Sequence, residues 1–190
     1  LMEKLKNHHG KDSMLVLRPA EAKETTVAWK MAMENTATPT ALIFSRQNIT
    51  DLPEGNDYSL AERGAYIVAG SDENPDVVMV ASGSEVSTLI SGANLLRKDG
   101  VRCRIVSVPS EGLFRSQPKE YQESVVPAGA KVFGMTAGLP VNLQGFLVGA
   151  APESKIWGLE SFGFSAPYKV LDEKLGYTGE NVYAQVKAML

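Results

Sequence analysis

Residues 75–109 read PDVVMVASGSEVSTLISGANLLRKDGVRCRIVSVP, and this stretch decides the fold. Asp76 to Ala81 reads as a strand, because its short, continuous apolar run suits burial on both faces. Ser82 and Glu85 stand at the S-x-x-E spacing of a capping box, which predicts a helix start. Val86, Leu89, Ile90, Ala93 and Leu96 then share one helical face. Lys98 places a cation, and Gly100 a residue that tolerates left-handed backbone, at the helix end. Val101 to Val108 is a second strand. Two strands joined by one helix of about four turns make parallel neighbours in one sheet. The rest of the chain must cover both faces of that sheet.

Upstream, the same grammar recurs once. Met14 to Leu17 is a short apolar run and a buried strand. Glu21 to Asn35 is a helix, with Glu21 and Glu24 in its first turn, where the dipole favours acids. Its stripe is Val27, Ala28, Met31 and Ala32. Thr40 to Phe44 is another buried strand, with Ser45-Arg46-Gln47 at its carboxyl end. Residues 48–63 lose periodicity and collect Asp51, Pro53, Gly55 and Asp57. They read as a surface linker at a domain boundary. Gly64 to Ala69 is a strand, and the short turn after it predicts that Tyr66 to Ala69 is an antiparallel hairpin partner of Asp76 to Ala81, at the sheet edge. Residues 1–10 look like the last turns of a helix.

Downstream, residues 109–117 read as a loop anchored by Leu113 and Phe114, followed by a short helix from Pro118 to Ser124. Ala130 to Met135 and Lys155 to Leu159 are strands. Leu143 to Val148 is apolar and fits a short helix or a strand. Tyr168 to Leu175 is a helix closed by Gly176. Thr178 caps a last helix whose Val182, Val186 and Met189 share a face.

Bulk composition narrows the function. The chain has 190 residues, 44% hydrophobic and 22% charged, which fits a globular protein of one large or two small domains. A net charge of −3 without a basic run argues against a nucleic-acid partner. No run approaches the ~18 apolar residues of a membrane span. Cys103, the single cysteine, excludes an internal disulfide and reads as an inward-facing core thiol in a reducing, cytoplasmic setting. Leu1 to Lys11 has no apolar signal-peptide core. The start at Leu1, with Met2 inside, reads as a piece of a longer polypeptide.

Candidate chemistry is sparse. Ala81 to Glu85 ends a strand and opens a helix, a place where phosphate can bind, yet it has one glycine where a dinucleotide fingerprint has three. Helix capping is the plainer reading. His8 and His9 are adjacent and point apart on a helix, a poor metal pair. Asp172 and Glu173 read as a solvated face. No P-loop, H-E-x-x-H or G-x-S-x-G is present. Arg46 is the sharper candidate. It sits at the carboxyl end of a parallel strand, where open α/β sheets bind ligands, and a guanidinium can hold a phosphate bidentately. A structural salt bridge is the alternative role for it.

Five segments, in order, resemble transketolases. They are Arg18-Pro19-Ala20-Glu21 with Glu24, the run Pro39 to Asn48 containing Ser45-Arg46-Gln47-Asn48, Gly64-Ala65-Tyr66, Pro75-Asp76-Val77 with Ala81-Ser82-Gly83-Ser84-Glu85-Val86, and Phe162-Gly163-Phe164-Ser165-Ala166-Pro167. The chain departs from the family's pattern at Glu21, where an aspartate is usual, at residues 135–143, and at Leu159-Glu160-Ser161. The resemblance implies a carboxyl-terminal part of such an enzyme. Residues 1–47 would end the pyrimidine-binding domain, 48–63 would be a linker, and 64–190 the C-terminal domain. The fold would be α/β, with a mixed, mostly parallel sheet in three layers preceded by a partial α/β unit.

The implied activity is transfer of a two-carbon ketol unit between sugar phosphates, in a cytoplasmic homodimer of the pentose phosphate pathway. Its cofactors would be thiamine diphosphate and a divalent metal such as Mg2+. Arg46 matches the family's substrate-phosphate position. The family's cofactor-activating glutamate, its G-D-G motif and its catalytic histidines match nothing here. The resemblance therefore implies no catalytic, cofactor-binding or metal-binding residue in this chain, and no activity for it alone. Two other readings remain open: another thiamine-dependent enzyme, such as a 2-oxoacid dehydrogenase beta subunit or deoxyxylulose-phosphate synthase, or a non-catalytic ligand-binding or dimerisation module.

Overall fold

A computed structural model describes residues 5–70 and 73–190. The first strand, β1 (Leu15–Leu17), pairs in parallel with β2 (Thr40–Leu42) across the helix α1 (Ala22–Glu34). A second sheet of five strands holds β3 (Tyr66–Ala69), β4 (Val77–Ala81), β5 (Cys103–Ser107), β6 (Val132–Met135) and β7 (Lys155–Trp157). Their spatial order is β3-β5-β4-β6-β7, parallel throughout except for β3.

Every residue of β4 and β5 is buried. Strand side chains alternate between faces, so each strand feeds two cores. Val77, Met79, Ala81, Cys103 and Ile105 face α2 (Glu85–Lys98) and α6 (Gly179–Lys187), meeting Leu89, Ala93, Leu96, Val182 and Val186. Val78, Val80, Val106 and Val132 face the opposite layer. That layer comprises α3 (Glu111–Arg115), α4 (Lys119–Val125) and the 3-10 turn Gln144–Leu147, with Phe114, Val125, Leu143 and Phe146 at its centre. The result is the three-layer α/β architecture expected. Each fully buried side chain of this kind contributes about 1.5–3 kcal/mol.

The last two helices are bounded by the residues expected to cap them. Thr178 accepts from the Asn181 N–H at 3.2 Å to open α6. Gly176, at φ 78°, closes α5 (Tyr168–Leu175) in left-handed backbone. Cys103 lies inward as expected, and burial pushes its thiol up to about 11.

Several expectations give way. Strand β3 is an antiparallel edge, but its partner is β5. Both edges of β4 are taken by the parallel strands β5 and β6, so no side is left for a hairpin. The described part of the first ten residues is a turn, not a helix end. Asn7 Oδ1 accepts from the N–H groups of His9 and Lys11, and Lys6 bridges Asp12. Residues 1–4 lie outside the described residues.

Residues 111–115 are helical, because Ser110 caps them by accepting from the Leu113 N–H. The ambiguous apolar run 143–148 resolves as 3-10 turns. Within the stretch expected to be a surface linker, Leu52 and Ala61 are buried, and Tyr58–Arg63 forms a 3-10 helix on α1. The segment after β1's partner is less buried than expected, with Ile43 and Phe44 about half exposed.

Gly92 marks the closest approach of α2 and α6. A Cβ there would lie 2.6 Å from Val182 Cβ and 3.1 Å from the Gly179 carbonyl oxygen. In an open helix, Gly→Ala gains about 1 kcal/mol. Here overpacking should win, so Gly92→Ala is expected to destabilise the chain by about 1–3 kcal/mol. Denaturant midpoints will test this, and Val182→Ala in the same chain should recover part of the loss.

Candidate functional site at the junction of the two sheets

Strands β4, β5 and β6 end on the same edge of the large sheet. The chain crosses from β4 to β5 on one side, and then from β5 to β6 on the other side of β4. Such a reversal opens a crevice beyond the carboxyl ends of the strands, the usual ligand position in open α/β sheets. A cleft of about 570 Å³ lies there, between the ends of β4 and β6 and the face of β1 and β2. Ser82, Glu111, Thr136 and Arg18 line it.

Arg18 joins the two sheets. Its Nη1 donates to the Ser82 carbonyl oxygen, to Ser82 Oγ at 3.2 Å and to Glu85 Oε2, while its own carbonyl accepts from the Gly83 N–H at 3.1 Å. Gly83 has φ 66°, and a Cβ at that position would sit 2.6 Å from Arg18 Cζ. The turn therefore needs glycine twice over, for its backbone and for room.

The capping box expected at Ser82 and Glu85 does not form. Ser84 occupies the N-cap position of α2 without a side-chain cap bond, and Glu85 turns to Arg18 and to the Ser84 hydroxyl at 2.9 Å. The guanidinium brings an opposite full charge as well as donors, where a backbone N–H brings a donor alone, so the carboxylate goes to Arg18. Tyr177 donates to the Thr136 carbonyl at 2.9 Å, and burial, then the Glu85 charge, pushes its hydroxyl up to about 12.

Beside this junction runs the segment after β2. The Ile43 N–H donates to the Leu17 carbonyl at 2.8 Å, the last rung before Arg18. Gln47 Nε2 then reaches Ser84 Oγ at 3.5 Å. Arg46, between them, is exposed. Arg18, Arg102 and Arg115 are paired with Glu85, Asp76 and Glu111. Arg104 donates to the carbonyls that end α4, Arg97 to the Cys103 carbonyl, and Arg63 lies over the Tyr121 ring. Among the described residues, Arg46 is the one arginine with no ion pair, hydrogen bond or aromatic contact.

Residues 64–178 match the model of the transketolase-like C-terminal domain. The chain belongs to the transketolase family. It is 40% identical over 180 residues to the transketolase of Staphylococcus aureus (strain MW2), which covers 93% of this chain and 27% of that protein. The solved transketolase from Leishmania mexicana superposes with a TM-score of 0.84 at 34% identity, over 95% of this chain and 26% of that one. A Pichia stipitis transketolase solved with sedoheptulose 7-phosphate gives 0.83 at 29% identity, over 95% and 26%. The chain thus spans about a quarter of the length of these transketolases.

Of the other residues singled out in the sequence, His8 and His9 are exposed, with ring centroids 4.0 Å apart. No group of three or more His, Cys, Asp or Glu side chains among the described residues is placed to hold a metal. No helix among them is long and apolar enough to cross a membrane. Asp172 is partly desolvated near Glu85, which raises its carboxyl above the usual range.

Reading the sequence missed the closed pair at the start of α1. Glu21 Oε1 accepts from the Glu24 N–H at 2.8 Å, and Glu24 Oε2 accepts from the Ala20 N–H at 2.7 Å. The Tyr66 hydroxyl donates to Glu24 Oε1 at 2.7 Å, and all three side chains are buried. Burial raises the Glu24 carboxyl above the usual range, against the pull of its donors. An acid raised in the folded state contributes most below its unfolded value and loses stability as pH rises. Tyr66→Phe removes a donor that favours the charged form, so it raises Glu24 further. The expected cost is about 1.5–3 kcal/mol, larger at pH 8 than at pH 5. Equal denaturation shifts at the two pH values would refute this.

Proposed function

We propose that this chain is the carboxyl-terminal part of a transketolase that transfers two-carbon ketol units between sugar phosphates, and that Arg46 holds the substrate's phosphate. The carrying observation is Arg46 itself, exposed beside the inter-sheet junction and, among the described residues, unpaired. A phosphate would not have to displace an internal carboxylate, and the planar guanidinium offers two parallel donors. The likeness to a transketolase solved with a sugar phosphate supports this reading.

In this reading, residues 1–47 finish the pyrimidine-binding domain, 48–63 link it to the next domain, and 64–190 are the C-terminal domain. The separation into two sheets supports that division. The complete protein is a cytoplasmic homodimer using thiamine diphosphate and a divalent metal such as Mg2+. Thiamine diphosphate would supply the carbon nucleophile of ketol transfer. The residues present here do not suit that group. The junction carboxylates Glu85 and Glu111 are each occupied by an arginine, so no step is assigned to the cofactor within this chain. The exposed apolar side chains of Phe162, Phe164 and Val148 support cover by the rest of a larger assembly.

Two measurements test the proposal. In a transketolase carrying this chain as its carboxyl-terminal segment, Arg46→Ala should raise KM for a phosphorylated ketose about 10- to 100-fold, the worth of a hydrogen bond to a charged group, with kcat nearly unchanged. An unchanged KM refutes the phosphate role. The 190-residue chain alone, given thiamine diphosphate and Mg2+, should transfer no ketol unit. Measurable transfer would refute the assignment of the catalytic groups to another part of the protein.

A further inference from the structure

The turn after β4 touches both strand ends that flank Arg46. Arg18 follows β1 and is held through the Ser82 carbonyl, the Ser82 hydroxyl and the Glu85 carboxylate. Gln47 follows β2 and reaches the Ser84 hydroxyl. The rung from Ile43 N–H to the Leu17 carbonyl ties those two strand ends to each other. Residues 43–57 contain no helix or strand of their own, so nothing regular holds Arg46 in direction. What precision it has comes from its neighbours.

We propose that Arg18 and Glu85, with Ser84, are positioning residues for Arg46, setting where its guanidinium stands relative to the crevice and hence the affinity for a phosphorylated substrate. The inference rests on the phosphate role of Arg46. The physical basis is geometric. The four residues 82–85 grip one strand end through a charged, part-buried contact and the adjacent strand end through a hydroxyl. A guanidinium on a tethered segment loses less freedom on meeting a phosphate than one on a free loop.

The turn also follows directly on β4, every residue of which is buried. A site is held to the tolerance that binding needs when its supporting residues are themselves locked. Here the lock is supplied by side chains 64 and 67 residues away from Arg18. A side chain at position 83 would meet the Arg18 guanidinium, so glycine there is what lets the turn and Arg18 lie together.

The test uses a transketolase carrying this chain as its carboxyl-terminal segment. Glu85→Gln keeps the side chain's shape and removes its charge, and Ser84→Ala removes the hydroxyl that accepts from Gln47 and donates to Glu85, leaving the Arg18–Glu85 pair in place. The quantity read is the ratio of KM for a phosphorylated ketose to KM for a phosphate-free ketol donor. Glu85→Gln should raise that ratio about tenfold, and Ser84→Ala by about two- to threefold, within the coupling expected inside one hydrogen-bonded network. In an Arg46→Ala background neither change should raise it further, because there is no guanidinium left to position.

Arg18→Met, which removes the one nitrogen that makes all three contacts, should behave as Glu85→Gln. If the ratio is unmoved in Ser84→Ala and Glu85→Gln, or if the effects add fully to that of Arg46→Ala, the positioning role is overturned while the phosphate role stands. If Arg46→Ala alone leaves the ratio unchanged, the phosphate role fails and this inference fails with it. Should Glu85→Gln not fold, Ser84→Ala, at a part-exposed hydroxyl, decides between these results.

Discussion

Strand β4 has no polar side chain from Val77 to Ala81 and has a parallel partner on each edge. Its backbone is therefore satisfied in the ladders, and its side chains demand apolar cover on both faces. Parallel neighbours must be joined by crossovers, and crossovers supply that cover. Thus α2, with α6 behind it, closes one face, and α3, α4 and the 3-10 turn close the other. The same constraint brings the ends of β4, β5 and β6 out on one edge. The junction with β1 and β2 is built on that edge, so the site's location derives from the burial of a single strand.

Elements with a strong period were legible in the sequence. Each core strand is a short apolar run, and α1, α2 and α6 each show a helical stripe with an acid, a hydroxyl or a glycine at an end. What was not legible depends on competition between distant parts. The partner of β3 is set by which edges of β4 are already taken, and no local pattern carries that information. Helix α3 is five residues long, too short for a period, and its one signal was the capping Ser110. The first turn escaped because Asn7 makes its bonds with a side chain, and its neighbours' spacing mimics a helix.

The site divides in the same way. Arg46 stood out because strand ends in parallel sheets are places where ligands meet donors. Its lack of a partner could not be read from the sequence, since that depends on where the other arginines find theirs. The motif at Ser82 to Glu85 was legible as a helix start but misread as a cap. A related pair of bonds forms at the start of α1 instead, where Glu21 accepts from the Glu24 N–H and Glu24 accepts from the Ala20 N–H, with no guanidinium competing. A spacing shows which bonds a segment can make, and the charges nearby decide which of them it makes.

Glu24 carries that choice into its own protonation, and Glu85 carries it into an ion pair. Both are buried at the first turn of a helix. Glu24 meets only neutral donors, two of them 2.7 Å away, and burial outweighs them, so the carboxyl is raised. It can rest there because nothing about α1 requires a permanent charge. Glu85 must hold a cation across a boundary between two sheets. The pair is part-buried, so removing either partner leaves the other charge without its counter-ion in a largely desolvated place. The junction therefore holds one guanidinium, that of Arg18, in an ion pair, and leaves that of Arg46, one strand over, exposed and unpaired.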